Sequence, residues 1–196
     1  MKKFINDVEN VENEMIAGLV KAYPQYLKKL DYSNVLVRKD AKKGKVAIVS
    51  GGGSGHEPAH AGFVGYGMLD AAVPGAVFTS PTPDAVYEAI KEVATDEGVL
   101  LVIKNYTGDV MNFEMASDMA QSEGIKVKQV IVEDDVAVED STWTVGRRGI
   151  AGTIFVHKIA GAKAETGASL DEVQATAQKV CDQVRSMGVA ITPCTV

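Results

Sequence analysis

Thr82-Pro83-Asp84-Ala85-Val86-Tyr87-Glu88-Ala89-Ile90-Lys91-Glu92-Val93, followed after Gly98 by Val99-Leu100-Leu101-Val102-Ile103, decides the class of fold. The first part reads as a helix. A hydroxyl stands at its N-cap and a proline at its first helical position, where a missing N–H is harmless. Val86, Ile90 and Val93 recur at helical spacing and mark one face for burial. The second part is an unbroken apolar run, the pattern of a strand covered on both sides.

The same alternation extends outward from this unit. Upstream, Lys45 to Ser50 reads as a strand stopped at Gly51-Gly52-Gly53, with a helical stretch after Glu57-Pro58. Ala71 to Phe78 reads as extended but broken by Pro74-Gly75, and Val35-Leu36-Val37 as a short strand. Val8, Val11, Met15, Ile16, Leu19 and Val20 predict one or two helices in the first thirty residues, interrupted near Pro24. Downstream, Gly108-Asp109 opens a helix, Val127 to Val132 is a strand, and Gly146 to Lys163 is helical in composition. Ser169-Leu170-Asp171-Glu172 is a capping box ahead of Val173, Ala177, Val180 and Val184. The pattern predicts an α/β fold with a largely parallel or mixed central sheet and helices on both faces. Residues 1–186 form that domain. Met187 to Val196 read as the start of another apolar strand, which calls for something to pair with.

The 196 residues suffice for one ordinary domain. Hydrophobic residues at 46% and charged residues at 23% match a globular composition, and no apolar run nears the length of a membrane span. The N-terminus lacks a signal-peptide core, so the cytoplasm is the expected location. A net charge of -6 argues against a nucleic-acid partner. The densest basic stretch, Arg38, Lys39, Lys42, Lys43 and Lys45, reads as a solvated loop. Cys181 and Cys194 form no C-x-x-C pair and read as reduced, buried thiols.

Ligands of open α/β sheets bind beyond the carboxyl ends of the strands, and two segments stand there. One is Ser50-Gly51-Gly52-Gly53-Ser54-Gly55-His56-Glu57-Pro58. Its glycines fit neither a dinucleotide fingerprint, which His56 interrupts, nor a P-loop, which needs a lysine. A nucleophile elbow at Ser54 would likewise need glycine where His56 stands. The glycines let a backbone approach a ligand closely, or they make a tight turn with no ligand at all. His56 can exchange a proton near neutral pH. His60, one helical turn on, has metal-ligand spacing but no accompanying cysteine, so it reads as packing and no metal is expected; His157 reads as a satisfied or partly exposed helix residue.

The second segment is Lys104-Asn105-Tyr106-Thr107-Gly108-Asp109. A lysine ending a buried strand needs a partner. Asp109, at a helix start, is either a cap in a structural ion pair or an acceptor for a substrate hydroxyl. Met111, Met115 and Met119 read as a core stripe, Arg147-Arg148 as an anion contact or a surface pair, and Ser80-Pro81-Thr82-Pro83 as hydroxyls completing the rim.

Met1-Lys2-Lys3 with Ile5-Asn6-Asp7, residues 50–58, Phe78-Thr79-Ser80-Pro81-Thr82-Pro83, Val102 to Asp109, Asp134 to Val138 and Gly146-Arg147-Arg148-Gly149 together resemble the dihydroxyacetone kinase family. They resemble the N-terminal domain of its substrate-binding subunit and run the length of the chain in family order. The resemblance implies that Gly53, Ser54, Gly55 and His56 contact dihydroxyacetone, and that Lys104 and Asp109 hydrogen-bond its oxygens. It implies that His56 and Asp109 activate the hydroxyl that receives the phosphoryl group. No cofactor is then bound directly. The donor is ADP or ATP with magnesium, held by a separate ADP-carrying subunit of the DhaL type in phosphotransferase-system members, or by a fused helical domain in others. A homodimer is also implied. Family members continue into a second α/β domain whose histidine holds the ketone covalently as a hemiaminal, and neither His60 nor His157 stands in that motif. The chain is therefore expected to be a fragment or a naturally short form, with weak binding and poor turnover. A dihydroxyacetone-sensing paralogue acting as a transcriptional co-activator is the alternative. The joint presence of His56, Lys104 and Asp109 favours the kinase. A hydrolase using Ser54 and His56 is disfavoured, since the two are poorly placed for a nucleophile–base bond.

Overall fold

The apolar run that decides the fold class forms β5, Val99–Lys104, and every residue of it is buried. A computed structural model describes residues 3–41, 44–138 and 146–192 of the chain. The other strands are β1 (Leu27–Lys29), β2 (Leu36–Arg38), β3 (Ala47–Ser54), β4 (Ala71–Val77) and β6 (Val127–Val132). They make one sheet in the order β1-β2-β4-β3-β5-β6, parallel from β4 to β6 and antiparallel at the β1 and β2 end. The helices are α1 (Val11–Ala22), α2 (Pro83–Val93), α3 (Thr107–Ser122), α4 (Thr153–Glu165) and α5 (Leu170–Gln183).

Both faces of the sheet are covered. Leu100 and Val102 pack with Ile16 of α1, Val156 and Ala160 of α4 and Val173 and Ala177 of α5. Leu101 and Ile103, pointing the opposite way, pack with Val86 and Ile90 of α2 and Phe113 and Ala116 of α3. Alternate side chains of one strand thus feed two cores, which is why its sequence shows no polar alternation. Thr82 caps α2 through the Ala85 amide with Pro83 at the first turn, and the Ser169–Glu172 capping box opens α5.

Several boundaries differ from the sequence reading. The glycines do not stop β3; it runs through them to Ser54, paired with β4 through Gly53↔Gly75. Pro74 does not break β4. Past Ala72 the strand has no β2 neighbour, so the missing N–H of Pro74 leaves no ladder bond unmade. Turns and a short 3-10 segment, Ala61–Phe63, follow Pro58 in place of a helix, and Leu27–Lys29 after Pro24 is a strand. Residues 146–152 are irregular, and α4 starts only at Thr153. Ser186 makes one bridge to Asp135; residues 187–192 join no ladder, with Met187, Val189 and Ile191 exposed.

The basic stretch is a further correction. Arg38 and Lys45 are buried with Asp70 and Glu165, at 2.6 Å for Lys45 to Asp70 and 2.5 Å for Arg38 to Glu165. Asp70 also accepts the Ile48 amide at 2.8 Å. These charges tie β2 and β3 to the start of β4 and to α4, while Lys42 and Lys43 lie outside the described residues. The methionine stripe is not core either: Met111 and Met115 are 57% and 54% exposed. Cys181 is a buried thiol, and Cys194 lies outside the described residues.

A β-carbon on Gly51 would stand 2.5 Å from the Val73 carbonyl oxygen, whereas one on Gly18, exposed within α1, meets nothing within 4 Å. Gly51→Ala is therefore expected to destabilise by about 1–3 kcal/mol through overpacking, and Gly18→Ala to stabilise by about 0.5–1 kcal/mol. Urea midpoints of the two variants check both signs.

Candidate functional site

β3 and β5 lie side by side, so the segments that follow them emerge on one rim at the carboxyl end of the sheet. The close approach allowed by the glycines is to the protein's own turn at residues 78 and 79. A β-carbon on Gly53 would meet the Thr79 amide nitrogen at 2.6 Å, and one on Gly55, where φ is +103°, would meet the Phe78 ring at 2.6 Å. The turn at residues 78–80 is thereby drawn over the end of β3, and the Phe78 ring lies 5.0 Å from the His56 ring, centroid to centroid.

Gly53, His56, Lys104 and Asp109 line one cavity of about 110 Å³, together with Phe78, Ser80 and Tyr106. Ser54 and Gly55 are turned away. The Ser54 hydroxyl donates to the Gly75 carbonyl at 2.7 Å, and the Gly55 amide donates to the Glu57 carboxylate at 3.0 Å. Ser80 completes the rim and hydrogen-bonds Asp109. Phe78 and Tyr106 are wall residues that no individual signal in the chain marks out.

The charges in this cavity are held under tension by burial. Asp109 stands in the first turn of α3, where the helix dipole favours a carboxylate. Burial still raises its pKa, against the lowering effects of the Ser80 hydrogen bond and the Lys104 charge. Burial lowers the pKa of Lys104, opposed by Asp109 and Asp134. The Lys104 ammonium lies 5.5 Å from the Tyr106 ring centre, and among the described residues it makes no direct ion pair with Asp109. The two charges face each other across space rather than in contact. Burial, then Lys104, lower the pKa of His56, with Glu57 acting the other way. The arrangement offers N–H donors to a ketone or hydroxyl oxygen, and a basic nitrogen and a carboxylate to a hydroxyl proton.

Beside this cavity lies a larger one of about 490 Å³ that shares His56, Lys104 and Tyr106 with it. His60 and His157 form part of its wall, both buried, with His60 Nδ1 3.1 Å from His157 Nε2. His60 is thus a buried residue, as expected, but its partner is another histidine, and His157 is fully enclosed rather than partly exposed. Among the described residues no cluster of three metal-ligating side chains is arranged to hold an ion. Gly149, Ile150 and Ala151 supply the opposite wall. Their loop is anchored by Asp134, which is completely buried and accepts the Ile150 amide at 2.8 Å, the Gly152 amide at 2.7 Å and the Ser186 hydroxyl. Arg148 is paired with Asp135 at 2.6 Å, and the Arg147 carbonyl accepts the Asn105 side chain. A groove of about 520 Å³ at the opposite end of β5 and β6, lined by Glu97, Lys126 and Asp171 among others, lies away from the strands' carboxyl ends.

Residues 17–196 match the family described as the Dak1 domain. The chain belongs to that family. Over its whole length it is 59% identical to the dihydroxyacetone-binding subunit DhaK of PTS-dependent dihydroxyacetone kinase 1 from Listeria innocua, of which it covers 60%. It is 52% identical to the corresponding subunit of the PEP-dependent dihydroxyacetone kinase from Escherichia coli, of which it covers 55%. The chain therefore spans little more than half the length of these curated relatives. Its fold is similar to the dihydroxyacetone kinase of C. freundii, with a TM-score of 0.87 and 46% identity over 92% of this chain and 33% of that one. That kinase has also been solved with AMP-PNP and Mg2+. The dihydroxyacetone kinase operon co-activator Dha-DhaQ is similar as well, with a TM-score of 0.80 and 41% identity over 89% of this Dak1 chain and 52% of the co-activator. No helix among the described residues is long and apolar enough to cross a membrane.

Two pH effects follow from the burial of these groups. Because the folded pKa of Asp109 is raised, its favourable contribution is full below the unfolded value and is lost as pH rises through the folded one. Asp109→Asn is expected to raise the urea midpoint at pH 7 and to leave it nearly unaltered at pH 3. His157 moves the other way: burial and then the Lys104 charge lower its pKa from 6.5 to about 3. Its contribution is present above pH 6.5 and is lost as pH falls toward about 3. His157→Phe is expected to flatten the acid limb of a plot of stability against pH.

Proposed function

We propose that this chain is the dihydroxyacetone-binding part of a kinase that transfers a phosphoryl group to dihydroxyacetone, giving dihydroxyacetone phosphate in the cytoplasm. The convergence of Gly53, His56, Lys104 and Asp109 on one small cavity is the observation that carries the reading. Identities of 59% and 52% to dihydroxyacetone-binding subunits support it. In this reading Lys104 and the Gly53 backbone hold the ketone and hydroxyl oxygens. His56, kept neutral by burial and the neighbouring cation, accepts the proton of the reacting hydroxyl, and Asp109 orients that hydroxyl by accepting a hydrogen bond. The hydroxyl oxygen forms the new bond to phosphorus as the donor's bond to that phosphorus breaks.

The donor we propose is an ADP-carrying partner subunit recharged by the phosphotransferase system, consistent with the names of the bacterial relatives. Residues 1–186 then constitute the substrate domain, residues 187–196 lead toward a second domain, and the assembled protein is a dimer. A sensor that binds the same ketone without phosphorylating it is the second reading, favoured by the similarity to the co-activator. Phosphoryl transfer in the presence of the ADP-carrying subunit separates the two.

Calorimetric titration with dihydroxyacetone is expected to give binding in the wild type, weakened at least tenfold in Asp109→Ala. In the assembled kinase, His56→Asn is expected to lower kcat by about 10²–10⁴-fold, the usual contribution of a general base, with a smaller effect on KM. No heat with the wild type, or undiminished turnover in His56→Asn, overturns the assignment.

A further inference from the structure

Lys104 brings a cation to the three-carbon cavity, yet its carbon stem is held from outside that cavity. A β-carbon on Gly149 would stand 2.9 Å from Lys104 Cα and Cβ and 2.4 Å from the Val132 carbonyl oxygen. The backbone at Gly149 therefore lies directly on the root of the lysine. Near the tip of the stem, a β-carbon on Gly52 would meet Lys104 Cε at 3.4 Å. Two glycines thus border the side chain, one at its root and one toward its ammonium end.

Asp134 keeps Gly149 in that place. Lys104 is the register partner of Val132 where β5 and β6 end, and Asp134 follows two residues later. Its carboxylate takes the amides of Ile150 and Gly152, on the chain immediately after Gly149. The fit is tight at Gly152, where a β-carbon would stand 2.5 Å from Asp134 Oδ2. The groups bonded to the carboxylate are all donors, two N–H groups and the Ser186 hydroxyl, which suits an acceptor-only anion. None of them is a cation, and among the described residues Asp134 has no ion pair. Its negative charge is left for Lys104.

The groups around the lysine show what that charge does. Burial lowers the pKa of Lys104, and the Asp109 and Asp134 charges, in that order, oppose the lowering. The other titratable groups near it are His56 and His60 after β3, His157 of α4 and Tyr106 in the turn after β5. Burial lowers the pKa of each imidazole and raises that of the Tyr106 phenol, so these groups bring no negative charge. Two carboxylates remain, and they stand differently. Asp109 lines the ketone cavity, where a substrate hydroxyl engages it, whereas Asp134 is completely buried and lines neither cavity. A counter-charge that no ligand engages stays with the lysine whether the cavity is empty or filled.

We propose that Asp134 and Gly149 are positioning residues for Lys104: Asp134 holds the 149–152 loop against the root of the lysine and supplies a counter-charge from outside the ketone cavity. The part Lys104 plays in holding the ketone rests on the reading of the smaller cavity given above. Neither positioning residue lines that cavity.

The test uses the 196-residue chain with isotope-labelled lysine, so that NMR follows the protonation of Lys104, its signal assigned with Lys104→Arg. Asp134→Asn keeps the side-chain volume but removes the charge and one acceptor. It is expected to move the Lys104 titration to lower pH, because one of the two charges opposing burial is gone. The pH at which dihydroxyacetone binding fades on the basic side should move down with it. Ser186→Ala removes one bond to the carboxylate, leaves the charge and should titrate as the wild type does. Gly149→Ala keeps both charges but crowds the root of Lys104. It should weaken dihydroxyacetone binding by roughly tenfold, the worth of one hydrogen bond from a charged donor. Should Asp134→Asn fail to fold, Asp109→Asn carries the test: with Asp134 in place, Lys104 should remain an ammonium group near neutral pH. A neutral amine there would show Asp109 to be its sole counter-charge and overturn the inference. A Lys104 titration unmoved in Asp134→Asn overturns it too, as does a shift just as large in Ser186→Ala, or undiminished dihydroxyacetone binding in Gly149→Ala. A wild type that binds no dihydroxyacetone has lost the ketone site, while the Lys104 titration still decides the role of Asp134.

Discussion

Backbone lies too close to backbone at the end of β3 for any side chain to intervene, and the site is built on that contact. Gly51 faces the Val73 carbonyl, Gly53 the turn at Phe78 and Thr79, and Gly75 the Thr79 carbonyl, each at a distance that a β-carbon would violate. Because these residues are glycines, β3 and β4 stay paired to their last residues, and the turn after β4 folds over the end of β3. That turn delivers Phe78 to His56 and Ser80 to Asp109. Packing of main chain against main chain places the chemistry.

The second organising fact is desolvation. Lys104 and Asp109 stand across a small cavity with few partners of their own, and burial pushes each toward its neutral form. The cluster of Arg38, Lys45, Asp70 and Glu165 is different: its charges are in contact at 2.5 to 3.2 Å. Paired buried charges are structural, and removing one partner is severe. Charges buried without contact are available to a ligand. The contrast separates site from scaffold inside one protein.

Much of this was legible in the chain. The alternation of Val99–Ile103 with the helix of Val86, Ile90 and Val93 gave the α/β class, and strand-end logic brought His56, Lys104 and Asp109 to one rim. The structure departs from the local signal where tertiary context overrides it. Gly51 to Gly53 and Pro74 look like strand breakers, yet sit where close approach or a missing neighbour strand tolerates them. Arg38 and Lys45 look solvated because their counter-charges, Asp70 and Glu165, are remote in sequence. The meeting of His60 with His157, 97 positions apart, leaves no trace in spacing. Met111 and Met115 carry core-like spacing on a helix whose buried side is set instead by Phe113, Ala116 and Ala120.

Asp134 is a mechanical joint. A single carboxylate receives the amides of Ile150 and Gly152 and the hydroxyl of Ser186, and the Ser186 amide returns to the Asp134 carbonyl at 2.8 Å. The loop bordering the larger cavity and the segment beyond α5 are therefore fastened to one point at the end of β6. Neither can shift without loosening the other, so a force applied to the chain past residue 186 would reach the cavity wall through that carboxylate.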